Sequence, residues 1–298
     1  MKVLVTGANG MLGQQLVRHL IQEGKFHVFA TGRGADRLNI ASGGYTYVST
    51  DLSDFRAVEA MVKKIHPHII VHAGGITQPN ECVADPKSCW RANVGGTRAL
   101  LKAATQCKSF FIYVSTDFVF DGEAGPYDEH AIPNPVNSYG ESKLLAEEMV
   151  QLSNIPWAIV RTITVYGPAS QGGRTNFVTR VQDQLSKGME MKVVNDQWRT
   201  PTYVADLAKG ILLVMLKNAR GIFHVSGKEM LTPYQLGCML ANMLQLDASL
   251  LLPVSSESLH EPAKRPHKTG FIINKAIREL GFVPTPLEEG LKKTFGLM

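Results

Sequence analysis

The first residues of the chain constrain its fold most. A short β-branched run, Lys2 to Val5, leads into Thr6-Gly7-Ala8-Asn9-Gly10-Met11-Leu12-Gly13, and an amphipathic segment from Gln14 to Glu23 follows. Strand, glycine turn and helix, in that order, form the setting in which a glycine pattern carries chemistry. Glycines at 7, 10 and 13 allow a tight turn, close backbone approach to a pyrophosphate and close packing of helix on strand, and the helix N-terminus then faces the phosphate charge. The spacing is G-x-x-G-x-x-G rather than G-x-G-x-x-G, so the flanking elements carry the reading as much as the glycines. A plain surface turn is the alternative.

The same alternation continues. A second strand, His27 to Thr31, ends in Gly32-Arg33-Gly34. At this place an acidic residue suits a ribose 2′-hydroxyl and an Arg suits a 2′-phosphate. Arg33 stands there and no carboxylate does, which favours NADPH, with NADH as the lesser cofactor; a solvated loop charge is the other reading of Arg33. Tyr45 to Ser49 reads as a third strand, then Asp51-Leu52, a helix from Ser53 to Ile65 stopped by Pro67, and a fourth strand, Ile69 to His72. Ala73-Gly74-Gly75 gives a second close backbone approach. A helix from Pro86 to Gln106 carries Asn93 and leads to the buried run Phe110 to Val114, which stops at Ser115-Thr116-Asp117. Strands and helices alternating in this way predict an α/β protein with a doubly wound parallel sheet, a dinucleotide-binding Rossmann fold.

A loop rich in Pro, Gly and acidic residues follows. Ser138 then reads as the cap of a helix carrying Tyr139 and Lys143 on one face, one turn apart. An ammonium beside a phenol favours phenolate, so the sequence predicts a Tyr139 pKa lowered toward neutrality and a side chain ready to exchange a proton. Thr116, at the strand end, would add a hydroxyl to the same substrate oxygen. Most Tyr-x-x-x-Lys pairs are surface residues. This one gains weight because it falls over the sheet edge where the glycine turn would hold a dinucleotide.

Later elements are a strand at Trp157 to Arg161, a helix reached through Gly172-Gly173-Arg174-Thr175-Asn176-Phe177 and running to Lys187, a helix from Val204 to Lys217 and a strand from Phe223 to Val225. From Thr232 the chain reads as mostly helical, with a basic, Pro-rich insertion between Pro253 and Pro266. The division expected is a dinucleotide domain, 1–160 with a returning segment near 193–225, and a smaller, mostly helical substrate lobe from 161–192 and 226–298.

Composition removes several classes. With 44% hydrophobic and 19% charged residues the chain is neither disordered nor fibrous, and its net charge of +5 is too mild and its basic clusters too short for a nucleic-acid footprint. The first apolar run stops at Thr6-Gly7, so no signal peptide is expected, and no run is long enough to span a bilayer. Cys82, Cys89, Cys107 and Cys238 form no C-x-x-C pair and have no His at metal spacing. They read as reduced, buried thiols in a cytoplasmic protein, not as metal ligands, and no metal site is expected from them; whether a divalent ion binds is left open.

These motifs together resemble the extended short-chain dehydrogenase/reductases, in the group typified by dTDP-4-dehydrorhamnose reductase. TGANGMLG, STDFVFDG, PNPVNSYGESKLLAE and VVNDQWRTPTYVADLA carry the resemblance, which covers nearly the whole chain. It implies Tyr139 as proton donor, Lys143 on the nicotinamide ribose and lowering the Tyr139 pKa, and Thr116 on the substrate oxygen. It implies a cofactor site of Gly7, Asn9, Gly10, Met11, Leu12, Gly13, Arg33, Asp51, Leu52, Ala73, Gly74, Gly75, Asn93 and Ser115. Thr77, Asp117 and Phe118 would face the sugar, and Asn176 and the segment around Arg265 its nucleotide. The implied reaction is hydride transfer to a C4 ketone of a nucleotide sugar, and the implied assembly is a homodimer.

The chain departs from that pattern at Thr164, in RTITVYG, where an aromatic residue is usual, and at Pro79. A dehydratase would want an Asp-Glu pair after Thr116, and Phe118 follows Asp117 instead. An epimerase uses the same Tyr and Lys and stays open. So does a non-catalytic regulatory subunit resembling the β subunit of methionine adenosyltransferase, which keeps the pair. A purely structural Tyr139–Lys143 pair is the plainest alternative.

Overall fold

A computed structural model describes residues 1–41, 43–169, 172 and 175–297. Its first half runs β1 (Lys2–Thr6), α1 (Met11–Gln22), β2 (His27–Gly32), β3 (Tyr45–Ser49), α2 (Phe55–Ile65), β4 (Ile69–His72), the short helices α3 (Pro79–Ala84) and α4 (Pro86–Trp90), α5 (Gly96–Cys107) and β5 (Phe110–Thr116). Then come α6 (Ser138–Gln151), β6 (Trp157–Thr162), β7 (Val165–Tyr166), α7 (Phe177–Ser186), β8 (Met191–Val194), β9 (Thr202–Tyr203), α8 (Val204–Leu216), β10 (Gly221–His224), α9 (Pro233–Met243), β11 (Leu251–Val254) and α10 (Leu287–Phe295).

Seven strands form one sheet in the order β10-β6-β5-β4-β1-β2-β3, every neighbouring pair parallel. Period-two alternation explains its two covered faces. Val3 and Val5 of β1, Val71 of β4 and Ile112 of β5 enter a core with Leu16, Leu20 and Ile211. Leu4, Ile70 and Phe111 enter the opposite core with Val58, Leu100 and Ala104. A third cluster, of Val178, Val181, Leu236, Leu240 and Leu291, holds together the later helices α7, α9 and α10.

Register aligns the carboxyl ends. Thr6 pairs with both Thr31 and His72, His72 with Tyr113, and Thr116 with Thr162. The segments after β1, β2, β4 and β5 therefore emerge side by side. The sheet order reverses at β1, between β2 and β4, which is where ligands bind in such sheets.

Local details differ from the sequence reading for identifiable reasons. Asn137, not Ser138, caps α6, its side chain accepting from the Gly140 amide; both residue types cap well, and the chain turns one residue earlier. Asp54 likewise moves the start of α2 to Phe55. The helix expected over 86–106 is divided by a widened π turn at Arg91–Gly95, whose Asn93 points inward. Asn176 caps α7, which starts at Phe177; Gly173 and Arg174 lie outside the described residues.

The cysteine reading is corrected more substantially. Cys82 and Cys89 form a disulfide, because the break at Asp85-Pro86 folds α4 back on α3 and brings their Cα atoms to 5.1 Å. Cys107 and Cys238 are free. Among the described residues no helix is long and apolar enough to cross a membrane.

Candidate active site

The glycine turn and the end of β4 are pressed together. Gly7 has φ of +71°, and a Cβ there would lie 2.6 Å from the Ala73 carbonyl oxygen. A Cβ on Gly13 would overlap the Gly7 carbonyl, so helix and turn touch backbone to backbone. Leu52 packs against Gly74, and Asn93 against Gly75. A hydrogen-bond relay joins these loops. The Gly74 amide donates to Thr6 Oγ1 at 3.1 Å, and Thr6 Oγ1 lies 2.7 Å from His72 Nδ1. His72 Nε2 lies 3.0 Å from Thr97 Oγ1, which donates to the Asn93 carbonyl at 2.5 Å. Because that hydroxyl is committed as a donor, His72 carries its proton on Nε2 and accepts from Thr6. Complete burial, with Lys143 adding to it, pushes the His72 pKa down to about 3, so the imidazole is neutral at any working pH. Sequence reasoning missed His72; its one signal was a polar ring ending an apolar strand.

At the end of β2 the Asn9 side chain donates to the Arg33 carbonyl (3.1 Å), the Ala35 carbonyl (3.0 Å) and the Tyr47 hydroxyl (2.8 Å), and accepts from the Arg37 amide (3.0 Å). Asn9 thus builds the loop that carries Arg33, which is exposed. Burial raises Asp51, but hydrogen bonds from Ser53 and the charges of Arg33 and Arg91 outweigh it and hold the carboxyl below its ordinary range. Arg37, also missed, points its guanidinium at the Gly172 carbonyl (2.6 Å).

Thr116, Tyr139 and Lys143 converge above β5, and all three are buried. The Thr116 hydroxyl donates to Asp117 Oδ1 at 3.1 Å and accepts from the Phe118 amide. Burial pushes the Tyr139 pKa up; a hydrogen bond with Thr116 opposes this and the Asp117 charge adds to it. The sequence expectation of a lowered Tyr139 is therefore corrected. Lys143 aims its ammonium elsewhere, donating to the Val114 carbonyl at 2.8 Å and lying 4.1 Å from the centre of the Tyr113 ring. Burial lowers Lys143 to about 7, with Glu147 acting the other way. Glu147 is itself paired, 2.6 Å from Arg161, with both side chains buried beneath the site. Ser115 Oγ is buried without a hydrogen-bond partner.

The structure gives Asp117 a different occupation from facing a sugar. Its carboxylate lies 3.4 Å from Arg199 Nε and accepts from Thr269 Oγ1 at 2.5 Å, tying the strand end to two segments far along the chain. Phe118 sets its ring edge-on to Tyr139, with centres 5.5 Å apart. Thr77 is exposed on the loop before α3. Asn176 donates to the Gly167 carbonyl at 2.8 Å and reaches Met11 Sδ at 3.6 Å, which puts it beside the glycine turn. Arg265 pairs with Glu261, while the adjacent Lys264 carbonyl accepts from Asn137 at 2.7 Å, bringing the basic insertion to the start of α6. Thr164 adopts φ of +35°, unusual for a β-branched residue.

The profile of the RmlD substrate binding domain matches residues 1–297. The chain belongs to that family. Methionine adenosyltransferase 2 subunit beta from Xenopus tropicalis is 33% identical to it over 266 residues, 86% of this chain and 76% of the relative. Spore coat polysaccharide biosynthesis protein SpsK from Bacillus subtilis strain 168 is 30% identical over 98% of this chain and 96% of its own. Of solved structures, dTDP-4-dehydrorhamnose reductase from Bacillus anthracis, in complex with NADP, superposes with a TM-score of 0.84 at 30% identity, covering 100% of this chain and 99% of that one. Among RmlD-family chains, then, this one is similar both to a reductase and to a subunit of a methionine adenosyltransferase.

Proposed function

We propose that this chain is an NADPH-preferring reductase of a 4-keto nucleotide sugar. The observation that carries the reading is the convergence of Thr116, at the end of β5, with Tyr139 and Lys143 of α6, on the sheet edge where the glycine turn packs on Ala73 and Gly74. Gly7 packs on that backbone with no room for a Cβ, which fixes the turn at the N-terminus of α1, and that helix end suits the pyrophosphate charge of a nicotinamide dinucleotide. Arg33, and Arg37 beside it, suit a 2′-phosphate. A dinucleotide held there supplies the hydride.

The rest falls to the chain's own groups. A raised pKa keeps the Tyr139 phenol protonated at neutral pH, as a general acid toward a ketone must be. Tyr139 Oη gives its proton to the oxygen that becomes a hydroxyl, and Thr116 orients that oxygen. On this reading Lys143 turns from the Val114 carbonyl to the ribose hydroxyls and, protonated, places positive charge where the oxyanion develops. Burial of all three excludes water. On this reading, residues 1–160 with 193–225 hold the dinucleotide, and 161–192 with 226–298 hold the sugar nucleotide.

The test is loss of NADPH absorbance with a dTDP-4-keto-6-deoxyhexose generated in place, run in parallel with NADH. Turnover supports the reductase, and the cofactor ratio tests Arg33. A second reading, an NADP-binding regulatory subunit, is favoured by the 33% identity to methionine adenosyltransferase 2 subunit beta. Firm NADPH binding without ketosugar turnover, together with co-purification of a methionine adenosyltransferase, would replace the first reading with the second.

A further inference from the structure

Cys82 and Cys89 form a small buried cluster with Tyr139, closed in by Ile76 and Phe118. Nothing in the mechanism above uses sulfur. The disulfide joins two helices of little intrinsic stability, α3 and α4, and their surroundings converge on the site from both sides. Asn93 Nδ2 lies 3.5 Å from Cys89 Sγ and donates to the Ile76 carbonyl and to Ser142 Oγ, each at 3.0 Å. Ser142 Oγ in turn donates to the Tyr139 carbonyl at 2.8 Å and lies 3.8 Å from Cys89 Sγ. On α3, Asn80 accepts from the amide of Ala263 at 3.3 Å, so the same helix also supports the basic insertion. One covalent bond therefore braces the packing behind Tyr139, the loop that carries Ile76 and Thr77, and the contact of α3 with Ala263.

We propose that the Cys82–Cys89 pair is a thiol–disulfide switch that sets how firmly the segment 76–90 holds Tyr139. Its effect on turnover rests on the reductase reading; its effect on the segment does not. The reductant is a dithiol, either a small molecule or a dithiol protein. A thiolate of the reductant attacks one sulfur, the S–S bond breaks, and the departing cysteine takes up a proton. The reductant's second thiolate then closes on the mixed disulfide, releasing the other cysteine to take its own proton. Two electrons and two protons pass to the pair, and the reductant leaves as a disulfide. Both sulfurs are buried, whereas Val83 to Ser88 are exposed, so exchange follows a local opening of this segment.

The experiment uses the full chain purified without reductant. Thiols are counted by alkylation after unfolding, and amide exchange is followed with and without dithiothreitol. Two reactive thiols are expected before reduction, Cys107 and Cys238, and all four afterwards. Reduction should speed exchange across 76–90 and around 139–142 by up to roughly fifty-fold, the factor that closing so short a loop contributes to the opening equilibrium. The rest of the sheet should exchange as before. Cys82→Ser with Cys89→Ser should exchange at the fast rate whether or not dithiol is present. Should that variant fail to fold, reduction and reoxidation of the wild-type chain give the same comparison. Four reactive thiols in the unreduced protein, or unchanged exchange across 76–90 after reduction, would overturn the switch. If a ketosugar turns over, its kcat should fall on reduction while NADPH affinity holds. If none turns over, the reductase reading fails alone, because thiol count and exchange still decide the switch.

Discussion

Replacing Lys143 by Met should make stability less dependent on pH, and the size of the effect follows from where the ammonium sits. Lys143 is buried, donates one hydrogen bond to the Val114 carbonyl, and has its pKa lowered from 10.5 to about 7, chiefly by burial. Between those values the unfolded chain holds a proton that the folded chain has released. Unfolding therefore binds a proton, and stability rises with pH across that window. Above it the contribution is complete; as pH falls toward the folded value it is lost. Integrating from about pH 6.5 to about pH 9 gives about 2 to 3 kcal/mol for this one group. Lys143→Met fills similar volume and titrates nowhere, so this contribution vanishes while those of the other groups cancel between the two proteins. The assay is urea unfolding of both proteins, with no cofactor added, at the two ends of that range. The variant should be the more stable at the acidic end, with its lead shrinking by about 2 to 3 kcal/mol at the basic end. Parallel pH profiles would refute the reasoning, showing Lys143 to be solvated in both states. A lysine kept buried at such a cost marks a candidate functional position.

Three further outcomes are expected. Tyr139→Phe should lower ketosugar turnover by about a hundredfold or more while leaving NADPH affinity unchanged by fluorescence titration, because only the proton is removed. Arg33→Ser should raise the Kd for NADPH roughly tenfold or more and leave that for NADH alone, since one charge-assisted contact is lost. Gly7→Ala should abolish dinucleotide binding and cost more than about 1 kcal/mol in thermal unfolding, because a Cβ at positive φ meets the Ala73 carbonyl.

The parts of this molecule that were legible in sequence are those whose cause is local. The Lys2–Thr6 strand, the glycine turn and α1 follow one another without interruption, so period, turn chemistry and helix signals could be read together. The face shared by Tyr139 and Lys143 follows from helix geometry alone. Burial is not local, and there the reading failed. A Lys one turn from a Tyr looks like a device for lowering its pKa, until the fold desolvates the phenol and turns the ammonium toward β5. The role of His72 exists only where Thr6 and Thr97 arrive from separate elements. Cys82 and Cys89 match no metal or redox spacing, and pair because a helix break at Asp85-Pro86 folds one short helix against the next.

Asp117 shows what such non-local placement implies for how the end of β5 is held. Burial raises its pKa, and the Arg199 guanidinium, which also donates to the carbonyls of Trp198, Pro266 and His267, brings it partway back. Removing the cation in Arg199→Met strands a carboxylate away from water and orphans those carbonyls, a loss of about 3 to 5 kcal/mol. Adding Asp117→Asn relieves the stranded charge, so the double variant should recover part of that loss and the two substitutions should be far from additive. The deficit of Arg199→Met should also shrink as pH falls, because a stranded Asp117 takes up its proton at a higher pH in the folded chain than in the unfolded one. Urea unfolding of the two single variants and the double variant measures the cycle. Additive losses with no dependence on pH would mean that Asp117 is screened by solvent. The contact would then be a surface ion pair, and the strand end bearing Thr116 would be free to move independently of the segments that contribute Arg199 and Thr269.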